Sequence, residues 1–176
     1  MAPEQNSFVE HLEQFRDQQD TAVLACLRRG LGKRMGTPEM YPLVVPFLPK
    51  ATGDQELYFL VASLFALHPA PAPRGRSLGA ALRIIAATRA TRDGTRGKNI
   101  ENRLVHLLQA DAEEVRGALR QVVSLAKSEG VGIDYHRLLS DLHQWGHPMG
   151  LVQRNWAADF WGRGEEESLA HSGGVE

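Results

Sequence analysis

The chain has 176 residues, 43% of them hydrophobic, with 20 Lys or Arg against 21 Asp or Glu and a formal net charge of -1. That length holds about one domain, the apolar content is too high for a disordered chain, and no apolar run approaches the ~20 residues of a membrane span. The single cysteine, Cys26, excludes an internal disulfide and fits a reducing cytoplasm.

In chain order, almost everything reads as helix. The polar, acidic start, "MAPEQNSFVEHLEQF", lacks the apolar region of a signal peptide. Ser7 with Glu10 forms a capping box ahead of Phe8, Leu12 and Phe15 at helical spacing. Asp20 caps "TAVLACLRRGL", which Gly32 closes. Thr37 and Pro38 open "PEMYPLVVPFL", which Pro42 and Pro46 keep short or kinked. Asp54 starts "QELYFLVASLFAL", which stops at His68-Pro69. A Pro-rich loop leads to Ser77, the cap of "LGAALRIIAATRA". A basic, glycine-containing stretch is expected as a loop, and Asn99 opens the next helix, "IENRLVHLLQA". Asp111, with Glu114 three residues on, begins what the pattern makes the longest helix, ending at Gly130. Asp134 caps "YHRLLSDLHQW" and Pro148 opens "MGLVQRNWAADFW". "VGIDY" is too short to count as a strand, and no repeat occurs. The expectation is an all-α bundle of eight or nine short helices in one domain, residues 1–162. Two lobes divided near 69–98 are possible, with an acidic tail over 163–176.

The residues do not point to an active site. His143 and His147 are four apart, but no close acid completes the three or four converging ligands of a zinc site. "TRDGTRGK" has misplaced glycines and no Ser or Thr after its Lys, so it is not a phosphate-cradling loop. "GRSLGAAL" lacks the preceding strand of a dinucleotide fingerprint, and no nucleophile elbow occurs. The reading is of a non-enzyme, with no cofactor and no metal.

Charge carries more information, because it is segregated. Residues 1–20 hold five acids and one Arg, and the last twelve hold four acids and no Lys or Arg. Between Arg28 and Arg103, thirteen Arg or Lys face five Asp or Glu, and most of the thirteen are Arg, the residue suited to bidentate phosphate contact. In "RATRDGTRGKNIENR", Gly94 and Gly97 let the backbone approach a ligand closely, while Arg89, Arg92, Arg96, Lys98 and Arg103 supply charge. Arg28, Arg29, Lys33 and Arg34 gather at the end of the second helix. Arg116, Arg120 and Lys127 lie close to one stripe of the longest helix. Such a groove would hold a sugar–phosphate strand without reading its sequence. The aromatic residues, 7% of the chain, fall mostly on apolar helix faces and read as core.

An ordered series of motifs then places the chain: "ACLRRGLG", "YPLVVPFLP", "LYFLVASLFALHP", "GRSLGAAL", "NIENRLVHLLQAD", "LRQVVSLAKSEGVGIDYHRLLSDLHQW" and "WAADFW". Over roughly Phe15 to Trp161 it resembles the CasB family, the small subunit of the type I-E CRISPR surveillance complex, Cascade. The resemblance implies an all-helical, non-catalytic subunit in two small bundles. It implies two copies lying head to tail against the repeated backbone subunit and helping to hold crRNA and the target and displaced DNA strands of the R-loop in antiviral defence. It implies nucleic-acid contact for Arg28, Arg29, Arg103 and Arg120, and more loosely for Arg154; Lys33, Arg34, Arg96, Lys98 and Lys127 rest on charge alone. The alternatives are a free-standing helical nucleic-acid-binding protein and a helical adaptor whose arginines meet acidic protein.

Overall fold

The core is organised by one helix that is apolar on nearly every side. The structure, a computed structural model, describes residues 3–50, 52–93 and 98–162. Among them run nine α-helices: α1 (Pro3–Asp17), α2 (Thr21–Arg28), α3 (Tyr41–Val44), α4 (Gln55–Leu67), α5 (Leu78–Asp93), α6 (Lys98–Gln109), α7 (Glu114–Ser128), α8 (Tyr135–His143) and α9 (Leu151–Trp161). Short 3-10 turns cover Pro38–Met40, Val45–Phe47 and Thr52–Asp54. No strand occurs among the described residues, so the all-α expectation holds.

In α4, Tyr58, Phe59 and every residue from Val61 to Ala66 are buried. A helix without a polar face must be surrounded, and α2, α7 and α8 pack around it. The Tyr135 hydroxyl of α8 lies 2.9 Å from the Leu64 carbonyl oxygen and 2.8 Å from that of His68, at the end of α4. The His68 Nε2–H donates to the Val131 carbonyl, 2.9 Å. On the far side α5, α6, α7 and α9 pack on one another. Buried apolar side chains from all nine helices form one contiguous cluster.

Several helix starts follow the sequence pattern. Asp20 Oδ1 accepts the Val23 N–H at 3.0 Å, and Ser77 Oγ accepts the Ala80 N–H at 3.1 Å. Asp134 Oδ1 accepts from His136 and Arg137. Asp111 Oδ1 accepts the N–H groups of Glu113 and Glu114, while Glu114 Oε2 reaches back to the Asp111 N–H at 3.4 Å. Others differ. Helix α1 begins at Pro3, so Ser7 and Glu10 lie inside it rather than at its cap. Thr37 and Asp54 make no side-chain capping bond. Helix α9 starts at Leu151 behind Gly150, not at Pro148.

The loop expected after Ala90 is shortened at both ends: residues 91–93 continue α5 and Lys98 already begins α6. Arg89 and Arg92 lie on α5, and Lys98 and Arg103 on α6; Gly94, Arg96 and Gly97 lie outside the described residues. Helix α5 therefore has 16 residues and α7 has 15, so α7 is not the longest. The cause is tertiary: Arg89 and Arg92 are held on Glu129 at the end of α7.

Helix α9 crosses α5 at close range because Gly79 has no side chain. A Cβ there would sit 2.1 Å from the Trp156 carbonyl oxygen. Gly117, in the first turn of α7 as Gly79 is in that of α5, would place a Cβ with nothing within 4 Å. Gly79→Ala is therefore expected to destabilise by about 1–3 kcal/mol through overpacking, and Gly117→Ala to stabilise by up to ~1 kcal/mol through helix propensity. Chemical denaturation of both variants checks the pair; equal effects would contradict the close crossing.

Candidate nucleic-acid interface

Helices α6 and α7 each present one arginine, Arg103 and Arg120, with no carboxylate partner among the described residues. A surface groove of about 720 Å³ is lined by Arg103 from α6 and by Gly117, Arg120, Gln121, Ser124, Leu125 and Ser128 from α7. It shares Gly117 and Arg120 with a groove of about 340 Å³ that runs to Gly32, Lys33 and Arg34 beyond α2. It shares Arg103 and Gln121 with a third, of about 480 Å³, bordered by Arg89, Asn99, Asn102 and His106. The three make one trough from Lys33 past Arg120 to Arg103. Gly32, at φ 80°, turns the chain there, and a Cβ on it would lie 3.8 Å from a terminal nitrogen of Arg120.

The basic residues divide by what they touch. Arg34 is engaged: its Nε donates to Glu56 at 2.5 Å, and it pairs with Glu113 at 2.9 Å. Half-buried Arg116 donates to the other oxygen of Glu56. Arg89 donates twice to Glu129 Oε1, at 2.9 and 2.6 Å, and Arg92 meets Oε2 at 3.4 Å. Arg103 and Arg120, both exposed, have no carboxylate partner among the described residues. The nearby acids are turned to other partners: Glu101 accepts the Trp161 indole N–H at 3.0 Å and Asp111 caps α7.

Of the sequence candidates, the structure brings Lys33, Arg34, Arg103 and Arg120 into the trough. Exposed Lys98 begins α6 about 1.4 turns before Arg103, and exposed Lys127 lies on the Arg120 stripe of α7, about 10 Å further along. Arg28, Arg29 and Arg154 are exposed but border none of these three grooves. Arg28 also helps to hold the fold, since its Nε donates to the Ala66 carbonyl at 3.1 Å, in the last turn of α4. Arg96 lies outside the described residues. Sequence reasoning missed the neutral hydrogen-bonding residues beside the arginines, Asn102, His106, Gln121, Ser124 and Ser128. The first two complete a polar stripe with Asn99 and Arg103 at helical spacing, which was the available signal.

The Arg89 hydrogen bonds, aided by both arginine charges, hold the Glu129 carboxyl below the usual glutamate range against its burial. A carboxyl so depressed contributes stability above its unfolded value, and that stability is lost as pH falls through the folded one. The stability gap between wild type and Glu129→Gln is therefore expected to be largest at neutral pH and to close on acidification below about pH 4.5. Urea denaturation of both proteins at pH 7 and pH 3.5 measures it; a gap constant with pH would contradict the pairing.

Comparison with known proteins is consistent along the chain. The family model described as CRISPR-associated protein Cse2 matches residues 23–161. A CRISPR-associated protein Cse2 from Thermus thermophilus is 36% identical over 165 residues, covering 91% of each chain. The crystal structure of CasB from Thermus thermophilus is similar with a TM-score of 0.75 at 33% identity, covering 93% of this chain and 100% of that one. A chain of a CRISPR RNA-guided surveillance complex is similar with a TM-score of 0.74 at 25% identity, covering 97% and 98% respectively.

Proposed function

The chain belongs to the CRISPR-associated Cse2 (CasB) family, and on that premise we propose that it is a non-enzymatic structural subunit of a CRISPR RNA-guided surveillance complex that holds nucleic-acid strands by their backbones along the trough between α6, α7 and the end of α2. The likeness to a chain of such a complex supports the assembly. The contact itself rests on one observation: Arg103 and Arg120 share the trough and have no carboxylate partner among the described residues, whereas neighbouring arginines are neutralised by Glu56, Glu113 and Glu129.

An unpaired guanidinium on an open groove is free to take a phosphate bidentately. Lys33, Lys98 and Lys127 extend the positive line as point charges. The groove walls supply amide and hydroxyl groups suited to phosphate and sugar oxygens rather than to one base. The strands are crRNA and the target and displaced strands of the R-loop. The protein neighbours are the repeated backbone subunit and a second copy of the chain. Arg28, Arg29 and Arg154 belong to secondary contacts, with Arg28 also tied to α4.

Neutralising the trough should weaken binding uniformly across sequences. In reconstituted complex, Arg103→Gln with Arg120→Gln is expected to lower target-duplex affinity on two unrelated targets alike, and to flatten the slope of log affinity against log salt by about 1.5 units. An unchanged slope, with the variant subunit present at normal stoichiometry, would contradict the proposal. A loss confined to one target would mean base readout and would contradict it too.

A further inference from the structure

The described chain ends against α6, on the flank of that helix turned away from the trough. Helix α9 ends at Trp161, whose indole N–H donates to Glu101 in the first turn of α6, two residues before Arg103. Residues 163–176 lie outside the described residues. Their sequence is "RGEEESLAHSGGVE", with Glu165, Glu166 and Glu167 in a row, Glu176 at the end, and no Lys or Arg after Arg163. We propose that the α6–α7 trough is the docking surface for this acidic C-terminal segment whenever no nucleic acid occupies it, the glutamates taking the places of strand phosphates. The inference rests on the reading of the trough as a backbone-binding site.

Reach, charge and composition support it. At no more than ~3.6 Å per residue, Glu165 to Glu167 can lie up to about 14–21 Å from Trp161. Glu101 stands about 150° around α6 from the Asn99, Asn102, Arg103 and His106 stripe, so the segment has to pass across a helix about 10–12 Å wide to meet the trough mouth, a span within the length of the chain to Glu167. The segment is negative, while Arg103 and Arg120 lack carboxylates of their own among the described residues. With Leu169 and Val175 as its only large apolar residues, it cannot build a core, so charge is what it has to offer. A tether of this length holds it at an effective concentration of roughly millimolar. Exposed pairs are individually weak and salt-screened, so a strand presenting several phosphates displaces them.

Zero-length carbodiimide coupling of the full chain, read by mass spectrometry, tests the contact directly. Links from Glu165, Glu166 or Glu167 to Lys33, Lys98 or Lys127 are expected at low salt, and they should disappear when an oligo-dT strand is added. No such links, or links confined to Lys50, which borders none of the three grooves, would overturn the docking. The second arm compares oligo-dT affinity of wild type and the full-length variant E165Q/E166Q/E167Q. The variant is expected to bind about three- to tenfold tighter at low salt, with the gain lost at high salt and absent in the R103Q/R120Q background. Equal affinity, in a chain whose binding depends on Arg103 and Arg120, would overturn this inference alone. A gain that persists in the R103Q/R120Q background would place the segment elsewhere and overturn it as well. Binding independent of both arginines would overturn the backbone-binding reading and the docking with it.

Discussion

The buried indole of Trp156 is the point to which the second half of the fold is referred. It is 0% exposed, packs against Trp145 at 5.1 Å between ring centroids, and donates its N–H to Asp141 Oδ2 at 2.7 Å. Burial raises the Asp141 carboxyl above its usual range, opposed by this bond and by Arg137, whose Nε donates to Oδ1 at 2.9 Å. A buried acid with two donors fixes the relative position of α8 and α9. The backbone of the same tryptophan lies against Gly79, which sets α5 on α9. The rest follows outward: α9 reaches α6 through Trp161 and Glu101, and α5 reaches the end of α7 through Arg89 and Glu129. The two helices that form the trough are thus held at their edges by contacts traceable to one core side chain.

That frame also sorts the charges. A chain with net charge -1 cannot be basic throughout, and here the acids are spent locally: Glu56 on Arg34 and Arg116, Glu113 on Arg34, Glu129 on Arg89 and Arg92. In water an isolated pair of charges 4 Å apart is worth only about 1 kcal/mol, but the absence of a partner matters more for recognition. A guanidinium already satisfied by carboxylates must surrender them before it can take a phosphate. Among the described residues, Arg103 and Arg120 hold no carboxylate. Overall neutrality and a locally positive trough are therefore compatible, and segregation rather than excess is what matters.

Local chemistry was legible in the sequence, and long-range pairing was not. The caps at Asp20, Ser77, Asp111 and Asp134 are written within four residues of the amides they satisfy. The apolar run of α4 likewise announces a central helix. The extension of α5 through Arg92 depends on Glu129, 37 residues further on, and local pattern cannot supply it. The same holds for Arg34 and Arg116, alike in sequence to Arg120 but neutralised by Glu56, 22 and 60 residues away. The family was readable from the order of its motifs. The distinction between arginines available to a strand and arginines already engaged needed coordinates.

The most direct measurement is where nucleic acid lies on this subunit in the assembled complex. A photo-crosslinking amino acid at Gln121, between Arg103 and Arg120 on the trough wall, can be compared with one at exposed Gln14 on α1, away from the trough. With guide RNA and target DNA bound, Gln121 should label a nucleic-acid strand and Gln14 should not. Labelling from Gln14 with none from Gln121 would show that the strands run over another face and that the unpaired arginines serve something else.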